Sequence, residues 1–257
     1  TWGLVFYRGI IPFVTVFVGM LFIYKSSFFK LLYGNSIYGV AYIITFSITN
    51  ITFVLSIQNT NVANTLVMIA LAPMLSAVFG AIFLKEKPDR NTLVAIAITF
   101  LSVLYIFYDS VKLGNIFGDI LGFITACGLA AGATIIRAGK SLNLVPSAVV
   151  GKLVVALVAL FFIDTFELKD NDIYIIPAMC ILCVAIPFVL VTLAPRYITG
   201  AEVNLFFLME TVLGPIWVWM VVKEQPSMET IQGGVVIILT IAIHSFLAIK
   251  KTQTKTT

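Results

Sequence analysis

Residues 64–88 read N-T-L-V-M-I-A-L-A-P-M-L-S-A-V-F-G-A-I-F-L-K-E-K-P, and no charge interrupts them before Lys85. An α-helix needs about 20 mostly apolar residues to cross the hydrocarbon core of a bilayer. This stretch supplies them and then stops abruptly at a charged, proline-containing loop. It predicts a membrane helix, and the rest of the chain repeats the pattern.

Of the 257 residues, 60% are hydrophobic and only 11% charged, and the mean hydropathy is +1.08. A soluble domain has about a quarter of its residues charged, so this chain has too few charges to cover a surface facing water. The lipid bilayer is its solvent. The net charge of +4 is then no sign of a nucleic-acid partner. Cut at charged or turn-rich breaks, the apolar runs are 1–24, 34–57, 60–84, 91–108, 115–138, 144–163, 173–194, 200–222 and 229–249. Nine spans follow, joined by short loops, with a polar tail over 251–257.

Basic residues orient the spans, because cytoplasmic loops carry an excess of Lys and Arg. One set of alternate loops, with the tail, holds Lys25, Lys30, Lys85, Lys87, Arg90, Arg137, Lys140, Arg196, Lys250, Lys251 and Lys255. The other set holds Lys112, Lys169 and Lys223 beside a group of acids. The first set, with the C-terminus, is expected in the cytoplasm.

Lys85-Glu86-Lys87-Pro88 recurs as Lys223-Glu224-Gln225-Pro226 at an offset of 138, which also aligns Thr92 with Thr230 and Ala63 with Ala201. The charge asymmetry places the first copy inside and the second outside. Related halves of opposite orientation are a mark of secondary transporters. The same offset finds no partner for the span at 115–138, whose counterpart would precede residue 1. The expected fold is therefore an all-α polytopic membrane protein, an inverted repeat of two five-helix halves with nine spans present and the first of ten missing. Residues 1–110 form the first half, with four of its helices, and 111–250 the second.

This arrangement resembles the EamA-type ten-helix members of the drug/metabolite transporter superfamily. The resemblance is strongest in Asn64–Glu86, where an apolar helix carries Pro73 and ends in Lys-Glu, and in Tyr197–Gly234. The span at 115–138, opening G-D-I-L-G, is also similar to that family's sixth helix. The resemblance implies transport of small polar metabolites, with amino acids or related compounds as plausible substrates and export favoured over uptake. It also implies the plasma (inner) membrane as the location and no cofactor.

Candidate pathway residues come from polar groups inside spans. Tyr38, Tyr42, Thr45, Thr49, Thr52 and Ser56 are spaced 4, 3, 4, 3 and 4 apart, so they share one helix face, with Asn50 beside it. Such a stripe faces protein or water rather than lipid; alternatively, its hydroxyls bond their own helix. Asn61, Asn64 and Thr65 open the next span and extend the lining. Glu210 lies mid-span on a face with Phe207, Gly214 and Trp217. A carboxyl within a bilayer is costly and defaults to a functional reading, here substrate binding or coupling to protons. Pro215 nearby offers a structural account, since it frees the Thr211 carbonyl. Arg8 and Lys152 occupy similar depths and are possible charge partners for Glu210 or for an anionic group, although both have stems long enough to snorkel. Snorkelling is the expected behaviour.

Gly114, Gly118, Gly122, Ala126 and Ala130 recur every four residues, a spacing that brings helix backbones together in lipid. Cys180 and Cys183 lie inside an apolar run and read as packing residues. A single histidine, His244, excludes multi-histidine metal sites, and Gly139-Lys140-Ser141 fails as a phosphate loop because Thr134 stands where its first glycine belongs. Tyr108-Asp109 and Gly118-Asp119 faintly echo an intramembrane aspartyl protease, but Ile116 breaks the second motif. A non-transporting membrane scaffold or sensor is the other alternative. The expectation is a transporter of a small-molecule substrate, not an enzyme.

Overall fold

The computed structural model describes residues 2–25, 27–163, 166, 172–193, 213–214, 216–218, 220–221, 223 and 227–253; the side chains of 109–113 and 248–253 lie outside that description. The described elements are α1 (Trp2–Tyr24), α2 (Ser27–Gly34), α3 (Ser36–Asn59), α4 (Val62–Ile69), α5 (Ala72–Phe83), α6 (Arg90–Leu113), α7 (Ile116–Ala138), α8 (Val145–Leu160), α9 (Asp172–Met179), a π-helical turn (Cys180–Ala185), α10 (Ile186–Leu193) and α11 (Met228–Gln253). Among the described residues there is no strand.

Seven stretches are long and apolar enough to cross a membrane. α8 is apolar but shorter, and most of the expected span at 200–222 lies outside the described residues. The chain is an all-α polytopic membrane protein. α4 and α5 form one span, Val62–Phe83, interrupted where Pro73 enters the first turn of α5. Proline has no N–H to give to the preceding turn and is tolerated at a helix start. One element escaped the sequence reading. α2 sits in the expected loop between the spans 1–24 and 34–57, held by Phe28, which is buried against Phe17.

By contacts the chain divides into two compact units, Thr1–Val54 with Ile135–Tyr197, and Leu55–Thr134 with Ile198–Thr257. In the first unit α1 packs along α8. Trp2 stacks on Phe162 at 4.7 Å, Gly9 meets Ala156, and Met20 shares a core with Leu144 and Val145. The two helices are therefore antiparallel. Their approach depends on Gly9, where an added Cβ would stand 2.7 Å from the Ala156 backbone nitrogen.

In the second unit α6 packs along α11, again antiparallel. His244 Nε2 lies 2.9 Å from Thr92 Oγ1 near one end, and Tyr105 donates to Gln232 at 3.0 Å toward the other. The core of this unit gathers Val67, Met68, Leu71, Met74, Val103, Ile106 and Ile237. Both helix starts are capped alike. The Thr92 N–H bonds Asp89 Oδ1 at 3.0 Å, and the Thr230 N–H bonds Ser227 Oγ at 3.2 Å. Each cap satisfies a backbone donor that the first helical turn leaves open.

Candidate functional site

The polar face of α3 points away from its lipid-type face. Val40, Ile44 and Ile48 are exposed at helical spacing, whereas Tyr42, Thr49 and Ser56 are buried and Thr45, Asn50 and Thr52 half-buried. Tyr38, one turn from the helix start, is exposed. Two of the hydroxyls bond their own helix: Thr49 donates to the Thr45 carbonyl at 2.7 Å and Thr52 to that of Ile48 at 2.9 Å. Three other polar groups reach across to neighbouring helices.

The first of these is Tyr42, whose hydroxyl lies 3.3 Å from Thr192 Oγ1 of α10. Thr192 spends its one proton on the Phe188 carbonyl, so Tyr42 is the donor. The second is Asn50. Its Oδ1 accepts from Lys152 Nζ at 2.5 Å while its Nδ2 donates to the Phe46 carbonyl at 2.8 Å. Lys152 does not snorkel. It is 1% exposed, and its ammonium faces the rings of Phe46 and Phe188 at 5.3 and 5.6 Å. α8 runs antiparallel to α1 with Gly151 against Phe46 and Ser47 of α3, so the Lys152 stem starts inside the packed unit. Arg8, on α1, lies over the Phe53 ring at 5.4 Å.

The third group, Ser56, belongs to a separate buried cluster in the second unit. Ser56 donates to the Gly118 carbonyl at 2.8 Å and accepts from Thr65 at 2.7 Å, the direction its single proton imposes. Beside it, Ser227 donates to Thr230 at 3.0 Å, Thr230 to Asn64 Oδ1 at 2.8 Å, and Asn64 Nδ2 to both oxygens of Asp119 at 3.4 Å. This relay joins α11, α4 and α7 and ends on a fully buried carboxylate. Gly118 makes room for it, since a Cβ there would collide with the backbone of Asn59.

The sequence-derived candidates thus fall into two groups. Tyr42, Thr45, Thr49, Asn50, Arg8 and Lys152 lie in the first unit and Asn64 in the second. Trp217 is exposed, and Glu210 and Phe207 lie outside the described residues. Sequence reasoning missed Asp119 as a buried group because it stands in the first turn of α7, where an acid ordinarily faces water. Its position next to a helix-packing glycine was the available signal. Phe46 and Phe188, which flank Lys152, are ordinary apolar residues in the sequence and gave none.

Residues 1–108 match the EamA-like transporter family. The matched segment runs from α1 into α6 and contains Arg8, the α3 stripe and Asn64. This match is consistent with the drug/metabolite transporter superfamily and suggests a membrane transporter of that type. No curated protein matches the sequence.

Proposed function

We propose that the protein is a secondary transporter or facilitator that moves small polar metabolites, amino acids or related compounds, outward across the plasma membrane by alternating access. The observation that carries this reading is the EamA-like match over residues 1–108. The buried polar contacts at Tyr42, Asn50 and Lys152 agree with it, since groups this costly to place in a bilayer interior mark solute pathways. Tyr38, Thr45, Thr49, Asn64, Phe207, Glu210 and Trp217 complete the proposed lining. Protons are the proposed coupling ion, with Glu210 as carrier, and the C-terminus is cytoplasmic.

Alternating access calls for two halves of opposite orientation. Adding 138 to α6, residues 90–113, gives 228–251, and α11 begins at Met228. The capping pair Asp89/Thr92 is repeated as Ser227/Thr230 at the same offset. The offset also maps 2–24 onto 140–162, which contains α8. Each of these helices lies antiparallel to its counterpart, which supports the inverted-repeat reading.

The test is solute counterflow in proteoliposomes holding the protein, with radiolabelled amino acids, comparing wild type with Glu210→Gln. Counterflow above protein-free vesicles is expected, with loss of its pH dependence in the variant. Absence of counterflow for every solute would sink the transport reading, and an unchanged pH profile would remove Glu210 from it.

A further inference from the structure

The spans of the first unit are unbalanced in charge. α1, the part of α3 up to Val54, α8 and the span Asp172–Leu193 contain Arg8 and Lys152, and their only carboxylate is Asp172 at the very start of its span. Among the described residues no carboxylate pairs with either cation. Lys152 has three N–H groups to place, and Asn50 Oδ1 takes one. The Phe46 and Phe188 rings offer their negative faces to the ammonium, but they do not replace a hydrogen-bond acceptor. Arg8 has the Phe53 ring and no hydrogen-bond acceptor among the described residues.

Gly9 lies against Ala156 in the antiparallel contact, so Arg8 and Lys152 stand on facing helices about one and a half turns apart along it. Two like charges held together in a low-dielectric interior repel, and each has lost its hydration. An arrangement of this kind is stabilised by an anion.

The geometry points to a small organic carboxylate with an apolar body as the solute that binds beside Lys152 and Arg8. The two N–H groups of Lys152 that have no acceptor among the described residues match the two oxygens of a carboxylate. Asn50 Nδ2 is committed to the Phe46 carbonyl, so the further oxygens of a phosphate would depend on Arg8 alone. Phe46 and Phe188 supply the apolar walls. Arg8 adds attraction for the charge, and the Asn50 contact positions the ammonium. The route by which the anion arrives rests on the transport reading above, whereas its binding rests on the two cations alone.

Binding is tested on the whole chain, purified in detergent, by the shift of its thermal midpoint with benzoate, with the uncharged benzamide and with inorganic phosphate. Benzoate is expected to raise the midpoint and benzamide and phosphate to leave it unchanged. Lys152→Gln should weaken the apparent benzoate affinity at least about tenfold, as expected for losing a desolvated charge pair, and Lys152→Arg should retain most of it. Arg8→Gln should weaken it less. Equal stabilisation by benzamide, stabilisation by phosphate alone, or an undiminished benzoate effect in Lys152→Gln would each overturn the proposal. If Lys152→Gln does not fold, the comparison of benzoate with benzamide on wild type and Lys152→Arg decides. Counterflow of a neutral solute without benzoate stabilisation would remove the anion site and leave transport standing. Benzoate stabilisation without any counterflow would do the reverse.

Discussion

Lys85 and Lys223, 138 residues apart, both adopt a left-handed backbone, with φ of 56° and 59°. Lysine pays for this conformation through the clash of its Cβ with the following carbonyl, roughly 1–2 kcal/mol. At Lys85 the reversal lets the Glu86 N–H return to the Gly80 carbonyl at 3.2 Å, closing the end of α5. Lys85→Gly and Lys223→Gly should each stabilise the protein by up to about 1 kcal/mol, because glycine adopts positive φ freely. Unfolding in detergent measures both, and a loss in either variant would show that the lysine side chain holds something the backbone geometry does not reveal.

Gly9 and Gly19 lie on the same helix in opposite surroundings. A Cβ at Gly9 meets the backbone of α8, whereas one at Gly19 meets nothing within 4 Å. Gly9→Ala should destabilise by about 1–3 kcal/mol through overpacking, and Gly19→Ala should be neutral or gain about 0.5–1 kcal/mol from helix propensity. The reverse order in a thermal unfolding comparison would refute the close contact of α1 with α8.

The relay Ser227–Thr230–Asn64–Asp119 has a direction, because each hydroxyl has one proton and a carboxylate can only accept. Removing either end of its last step costs the other that hydrogen bond in a buried setting. Asn64→Ala and Asp119→Ala should each destabilise, and the double variant should depart from additivity by roughly 0.5–3 kcal/mol. Additive losses would mean that the 3.4 Å contacts carry no energy.

Tyr42→Phe and Thr49→Val probe the same stripe by different means. The Tyr42 hydroxyl bonds another helix and its loss should cost about 0.5–1.5 kcal/mol. Thr49 bonds its own helix carbonyl, so Thr49→Val leaves no neighbour unsatisfied across the packing and should cost less. Equal losses in a denaturant titration would argue against this distinction.

The spans were legible because lipid imposes one strong rule, that a crossing helix be long and uncharged. Most span boundaries fall within a few residues of the expected ones, as at 60–84 against Val62–Phe83. The interior was less legible. Lys152 resembles a snorkelling lysine in the sequence, and only the packing of α8 against α1 and α3 shows its ammonium enclosed. Asp119 resembles a helix-end acid until Gly118 brings α7 onto Asn59. α2 was hidden by Lys25 just before it and Lys30 within it. In each case the deciding fact is a neighbour distant in sequence, which periodicity alone does not report.

The span Asp172–Leu193 contains one π-helical turn, Cys180–Ala185. A π turn accommodates an extra residue, and one residue corresponds to about 100° of helix rotation. Cys180, Val184 and Ala185 are buried on one side of that turn, and Phe188 and Thr192 continue the buried face beyond it. A regular α-helix through the same sequence would be out of phase beyond that turn, carrying the aromatic wall of the Lys152 site and the acceptor of Tyr42 around the helix. Deleting the one extra residue would instead let the span run as a regular α-helix with Phe188 and Thr192 still on its inward side. The turn thus acts as a phase adjuster, a one-residue insertion that sets which side of the helix packs inward.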